Sequence, residues 1–302
     1  MATIAEPALR TQRFLWELPA QKPLPVRIAR LWLQNPAGLF GLIVVATFIF
    51  VGLFGPYLTP YDPRELDVSS RYLSPSGEHL FGTTKFGQDV FSRILEGARL
   101  SLTFASVVII VGFIPGTVLG ICSGYFGRWI DYLIQRSSEA WTAFPQLPIL
   151  LTVIAAVGPG LKAVVIVIAI GALFGGSRIL RVVALVERHK EYVLAARSLG
   201  ANEFDVLRRH VVPNIMPFIL VGISSIFAIA ILAEATLSFL GIGVEQGTPG
   251  WGIDLSRGLG EGANYPHLVI FPGAVISIVV LGFNLLGDTL RDILDPRLRG
   301  TR

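Results

Sequence analysis

Six apolar stretches set the terms for this chain: residues 37–55, 101–122, 138–157, 161–177, 215–240 and 267–286. Each approaches or exceeds the roughly 20 residues that a helix needs to cross a bilayer. Only 15% of the 302 residues are charged, well below the soluble norm of about 25%. The pattern predicts an all-α polytopic membrane protein with six transmembrane helices in a lipid bilayer. It divides into a cytosolic tail (1–36), a first span (37–55), a polar loop (56–97), a core (98–288) and a second cytosolic tail (289–302).

Taken in order, residues 1–36 are basic and proline-punctuated, with a short interfacial helix expected around 26–33. The first apolar run starts too late for a cleaved signal peptide and lacks a small-residue cleavage site. Pro56 is expected to end the first span. In the second span Gly112, Gly116, Gly120 and Gly124 recur every four residues. That spacing puts a smooth stripe on one helix face, where another helix can pack at short range. Pro115 within the stripe is expected to kink the helix. Arg128, Asp131 and Arg136 read as a charged turn, and Arg136 and Glu139 stand i, i+3 and can pair. Pro145 and Pro148 fall inside the third span, and Gly158-Pro159-Gly160 is a tight turn before the fourth. Glu234 is the one clearly intramembrane acid, and such a residue is a functional candidate by default. It is read as a pathway group or an inter-subunit polar contact. Trp251 and Tyr265, in the loop 242–266, suit an interfacial position.

The longest polar interruption of the C-terminal half is 188–214. Tyr192, Ala195, Ala196 and Leu199 fall at i, i+3, i+4 and i+7, one apolar stripe on a helix. Gly200 stands where a left-handed C-cap belongs. Asn202 can cap a following helix, with Asp205 in its first turn. Phe204, Leu207 and Val211 continue the pattern, and Pro213 is expected to stop it. A basic helical hairpin between two spans results. Two readings of it stand: a surface hairpin packed on its own membrane domain, or a docking lever for a separate cytosolic protein.

Chemistry-bearing motifs are sparse. Cys122 is the only cysteine, so no intrachain disulfide forms, and it is expected to be a small core residue. His79, His189, His210 and His267 lack metal-ligand spacing, which argues against a metal site. Gly171 and Gly176 have the separation of a phosphate-binding loop, but Ser177 stands where lysine is needed. No catalytic constellation and no nucleic-acid-binding motif is present, so neither an enzyme nor a nucleic-acid partner is expected.

Lys and Arg set the expected orientation. Arg128, Arg136, Arg178, Arg181, Arg188, Lys190, Arg197, Arg208 and Arg209 fall on the side of the two tails. The other side holds only Arg64, Arg71, Lys85, Arg93, Arg99, Lys162 and Arg257. By the positive-inside rule both termini and the hairpin are cytosolic.

Several motifs carry a resemblance. Ala195-Ala196, then Gly200, then Val212-Pro213 resembles the "EAA" loop in permease subunits of bacterial ATP-binding-cassette importers, with Leu194 in place of the motif's Glu. Leu80-Phe81-Gly82-Thr83-Thr84-Lys85-Phe86-Gly87-Gln88-Asp89-Val90-Phe91-Ser92-Arg93, followed by Gly97-Ala98-Arg99-Leu100-Ser101-Leu102, is similar to the signature of the peptide and nickel branch. The text Ile231-Leu232-Ala233-Glu234-Ala235-Thr236-Leu237-Ser238-Phe239-Leu240-Gly241 is close to the family pattern. The ending from Gly287-Asp288 through Leu290-Arg291-Asp292 to Asp295-Pro296 resembles the "C" subunit of dipeptide and oligopeptide importers. The resemblance implies a MetI-like, type I importer transmembrane domain in a bacterial inner membrane. It assigns ATPase coupling to Tyr192, Ala195, Ala196, Leu199, Gly200, Val212 and Pro213. Asp288, Arg291 and Asp295 would fix the last helix end. It further implies a homologous second permease, an extracytoplasmic binding protein, and two ATPase subunits that hold ATP and Mg, with no cofactor on this chain. The cargo would be dipeptides or oligopeptides, with nickel chelates, glutathione or oligosaccharides as alternatives. A stand-alone secondary transporter or channel is the alternative of another class; it would require ion-coupling residues and internal inverted repeats.

Overall fold

A computed structural model describes residues 32, 35–245 and 247–294. Among these, α1 is Pro36–Leu58, α2 Val90–Val108, α3 Ile114–Phe126, α4 Arg128–Thr142 and α5 Gln146–Val157. Then come α6 (Leu161–Glu187), α7 (Glu191–Ser198), α8 (Glu203–Val206), α9 (Val212–Phe239), α10 (Trp251–Leu259) and α11 (His267–Leu294). The tail read over 1–36, apart from Trp32, Asn35 and Pro36, and the C-terminal residue Asp295 lie outside the described residues.

Among the described residues, five helices are long and apolar enough to cross a membrane: α1, the joined α2–α3 helix Val90–Phe126, α6, the joined helix Glu203–Phe239, and α11. The third expected span, 138–157, is not one straight helix. α4 and α5 meet at 86°. Pro145 takes the extended conformation that N-caps α5, so the helix cannot run through it. Several boundaries also move. Pro56 lies inside α1, because a proline in the last turn removes only one helical bond and the chain runs on to Leu58. The polar loop ends at 89 rather than 97, where Asp89 caps α2 by accepting from the Ser92 amide at 2.8 Å. Arg128, Asp131 and Arg136 form no turn; they sit on α4. Cys122 is half-buried rather than core.

The tightest packing joins α3 to α6. Gly112, Gly116, Gly120 and Gly124 face the backbone carbonyls of Ala169, Leu173, Ser177 and Arg181 in the same order. A Cβ at any of the four would fall inside the radius of that oxygen. Two rows of period four are thus locked ridge to ridge, and no side chain separates the backbones. In lipid, where apolar surface gives helices little reason to associate, such close packing supplies the attraction.

Pro115 and Pro213 are accommodated in the same way. A wide π turn at Ile109–Phe113 precedes Pro115, and another at Leu207–Val211 precedes Pro213. Each turn ends two residues before its proline. The wider ladder makes room where the ring would strike a preceding carbonyl and where its missing N–H would break the bonding. Pro213 therefore opens α9 instead of stopping the pattern, and Glu203–Phe239 runs through it.

The remaining spans pack in series, α9 on α11, α11 on α1 and α1 on α2. Phe283 of α11 stacks on Phe227 with centroids 4.8 Å apart, and Phe48 lies 5.8 Å from both Phe283 and Trp251. Trp251 is 1% exposed and donates to the Ile94 carbonyl at 3.0 Å. It is a core residue, not an interfacial anchor, because α10 packs against α9, α11 and α2. Tyr265 stacks on Tyr72 at 4.1 Å.

A second polar lock holds α10. Arg93 is 1% exposed, and its fork meets Asp254 with Nη2–Oδ1 at 2.6 Å and Nε–Oδ1 at 3.0 Å. Its Nη1 donates to the Pro63 carbonyl at 3.0 Å. One guanidinium thus ties the first polar loop, α2 and α10 together.

Two stability outcomes follow. Gly116→Val overpacks against Leu173 and is expected to cost about 1–3 kcal/mol, read as an earlier thermal transition of the detergent-solubilised protein. Gly175→Ala, with no atom within 4 Å of its Cβ position, serves as the neutral control; equal transitions for both would refute the interlock. Arg93→Ala strands a buried carboxylate and should cost about 3–5 kcal/mol, whereas Arg93→Met with Asp254→Leu should recover most of the loss. A double variant no better than the single would show that the pair does not carry the effect.

Candidate functional site: the 188–214 hairpin

Local sequence builds this hairpin turn by turn. α7 starts after Lys190 in extended conformation, with Glu191 in its first turn and Arg197 in its last, both favourable to the helix dipole. It closes by a two-bond cap. The Gly200 amide reaches the Arg197 carbonyl at 2.9 Å, and the Ala201 amide reaches Ala196 at 3.1 Å. Gly200 holds φ +84, which disfavours any side chain there. Asn202 then caps α8, its Oδ1 accepting from the Asp205 amide at 2.8 Å.

The apolar stripe divides into two faces. Val193 is fully buried and Ala196 packs against the core beside it. Val206, Val211 and Ile215 are fully buried beyond the turn and fasten the second arm. Ala195 and Leu199 instead look outward, with Leu199 88% exposed, and Tyr192, 36% exposed, joins them at its ring while its hydroxyl turns back to the frame. Phe204 across the turn is 67% exposed. Val212 is half-buried and Pro213 exposed, at the entry to α9. The result is an outward apolar ridge on a frame pinned from behind.

Polar groups fix the frame. Glu187, nearly buried at the end of α6, accepts from the Tyr192 hydroxyl and pairs with Lys190 Nζ at 2.6 Å. Burial, and then the Glu187 carboxylate, push the Tyr192 phenol far above the ordinary tyrosine range, so it stays a donor. Arg188 Nη1 donates to the Gly124 and Tyr125 carbonyls at 3.1 Å each. Arg181 forks onto Asp131, with Nη2–Oδ2 at 2.6 Å, joining α6 to α4. Tyr125 donates to Glu203, and Arg197 reaches the same carboxylate at 3.0 Å.

The other candidates lie elsewhere. Glu234 is fully buried within the chain and accepts from Ser101 Oγ and Ser238 Oγ at 2.8 Å each. It bridges α9 to α2 and faces neither an open path nor an outer surface. Asp288 and Arg291 are exposed on α11, and Arg291 stands in its last turn, where a cation suits the helix dipole. Gly171 to Ser177 lie in the middle of α6, where the backbone amides are spent on the helix and cannot cradle phosphate. Arg136 and Glu139 do pair, at 2.7 Å.

At the far end of α2 and α6 an open groove of about 650 Å³ runs past Glu96, Arg99, Thr103, Lys162 and Ile166. Neither the groove nor Tyr125 as a hairpin partner is foreseen by the sequence reading. Arg197 and Glu203 carry a faint signal, opposite charges on either side of a predicted turn. Tyr125 and Arg93 carry none, because their partners are remote in sequence.

Residues 116–300 match the family described as binding-protein-dependent transport system inner membrane component, and residues 26–75 match the N-terminal TM domain of oligopeptide transport permease C. The chain belongs to this permease family. It is 40% identical over 266 residues to the dipeptide transport system permease protein DppC of Alkalihalophilus pseudofirmus, covering 88% of each chain. A putative peptide transport system permease protein of Brucella abortus is 38% identical over 91% of this chain and 92% of its own. The glutathione transport system permease protein GsiD of Pectobacterium atrosepticum is 38% identical over 90% of each. The protein is thus a multi-pass inner membrane permease subunit, and its hairpin and all of the glycine interlock but Gly112 fall in the matched core.

Removing the Asn202 side chain tests the local build. Asn202→Ala should cost α8 about 1 kcal/mol, seen as roughly fivefold faster hydrogen exchange at the Asp205 amide. Unchanged protection there would mean that tertiary contacts, not the cap, hold the turn.

Proposed function

We propose that this permease forms half of a translocation path with a homologous second permease and receives mechanical work through 188–214. The observation that carries this is the outward ridge of Tyr192, Ala195, Leu199 and Phe204 on a frame pinned by Val193, Val206 and Val211. An exposed apolar face on a rigid support is what a docking partner needs. The excess of Lys and Arg on this side makes the hairpin and both termini cytosolic, where ATPase subunits can reach it. Two such subunits hold ATP and Mg, and an extracytoplasmic binding protein delivers cargo to the opposite face. The groove beside Arg99 and Lys162 opens toward that face and is this subunit's share of the path.

Work enters as a difference in contact energy. ATP-driven closure of the ATPases shifts the hairpin between two positions, and the spans joined to it tilt from inward to outward access. The shift can be no larger than the difference in binding between the two states.

Dipeptides or oligopeptides are the cargo that the names of the relatives support. Glutathione, itself a tripeptide, is the second reading, supported by the relative named for it. A stand-alone transporter fits less well, since Glu234 is already bonded to Ser101 and Ser238 inside the chain.

Leu199→Glu with Phe204→Glu changes only exposed groups and should abolish ATPase co-purification while leaving the permease's thermal transition in place. Gly200→Pro should do the same by forcing φ away from +84. Unchanged co-purification in both, or cargo movement by the purified permease without nucleotide, would overturn the proposal.

A further inference from the structure

The hairpin meets the glycine-striped helix at one side chain. Tyr125 lies in the last turn of α3 and is 3% exposed. Its hydroxyl donates to Oε2 of Glu203, at the start of α8. Arg197, from the last turn of α7, donates to the same oxygen at 3.0 Å. The Arg197 guanidinium also sits 5.2 Å from the centre of the Tyr125 ring. Neighbouring helices α7 and α8 and the distant end of α3 thus meet at one carboxylate oxygen.

Stability alone does not account for the arrangement. Glu203 is 56% and Arg197 33% exposed at the side chain, so water screens much of their attraction. Arg197 Nε is buried without an acceptor among the described residues, which is itself unfavourable. What the triad supplies is direction. The turn between α7 and α8 is open, with no atom within 4 Å of a Cβ position on Gly200. A load on α7 reaches α6 through Tyr192 and Glu187, but without a tie across this turn it could also part α7 from α8. With the triad closed, α7 and α8 cannot part without releasing Tyr125.

We propose that Tyr125, Arg197 and Glu203 are positioning residues that act as a force-transmitting clamp. The clamp makes the hairpin one rigid piece with α3 and, through the glycine interlock, with α6. Arg188 adds a second hold on the same helix end through the Gly124 and Tyr125 carbonyls. A push on the docking ridge therefore enters two interlocked spans rather than the turn. This inference rests on the hairpin being the ATPase docking site.

The test uses the complete transporter in liposomes, with both permeases, the ATPases, the binding protein and a labelled dipeptide. Tyr125→Phe and Glu203→Ala are each compared with wild type. ATPase co-purification, hydrolysis rate and thermal transition should stay within about twofold or a few degrees. Peptide moved per ATP hydrolysed should fall at least threefold, and the double variant should be no worse than the more severe single one. Glu203, being exposed, keeps the test open if Tyr125→Phe fails to assemble. An unchanged ratio of transport to hydrolysis in both variants overturns the clamp. So do losses that multiply in the double variant, or ATPases that dissociate. A wild-type complex that hydrolyses ATP yet moves no peptide refutes the functional reading itself, and the clamp with it.

Discussion

Backbone against backbone is the contact on which this molecule depends. Four glycines of one helix meet four carbonyls of another, from Gly112 on Ala169 to Gly124 on Arg181. A side chain at any of those positions would push α3 and α6 apart along their whole shared length. Their closeness sets where the ends of both helices emerge. Those ends are Tyr125 and Glu187, and both hold the hairpin. The short helices of 188–214 thus inherit their placement from a packing event inside the apolar layer.

The same economy governs the prolines. A proline in a long apolar helix leaves carbonyls without donors, which is costly where water is absent. Here each of Pro115 and Pro213 follows a π turn, so the ladder widens before the ring arrives. One of these turns lies inside the interlock and the other where the hairpin re-enters the spans. Both are places where the backbone already departs from the tight α geometry and can change shape with less loss than a regular helix.

Legibility tracked the range of each interaction. The glycine stripe was readable because a period of four is written in adjacent turns. Gly200 and Asn202 were readable because cap chemistry is local. Pro213 was misread because a proline that stops a helix and one that opens it are the same residue, and only the preceding π turn distinguishes them. The division of Tyr192, Ala195 and Leu199 from Val193 was hidden, since a short stripe of small and apolar residues does not say which edge meets the core. Trp251 reads as interfacial in sequence, because its burial depends on α10 packing against α2, α9 and α11, contacts remote along the chain. Arg93 with Asp254 and Tyr125 with Glu203 lay beyond any pattern, because long-range pairing leaves no trace in spacing. Family and architecture were nonetheless legible, as the matches over 116–300 and 26–75 bear out.

The Arg93 fork has a consequence for biogenesis. A ribosome delivers this guanidinium with α2 and supplies Asp254 only after three further membrane segments have been made: the bent α4–α5 pair, α6 and the helix ending at Phe239. Until then a cation sits at the threshold of the bilayer with no counter-charge from its own chain. Completion of α10 is thus the moment at which Arg93 gains its counter-charge.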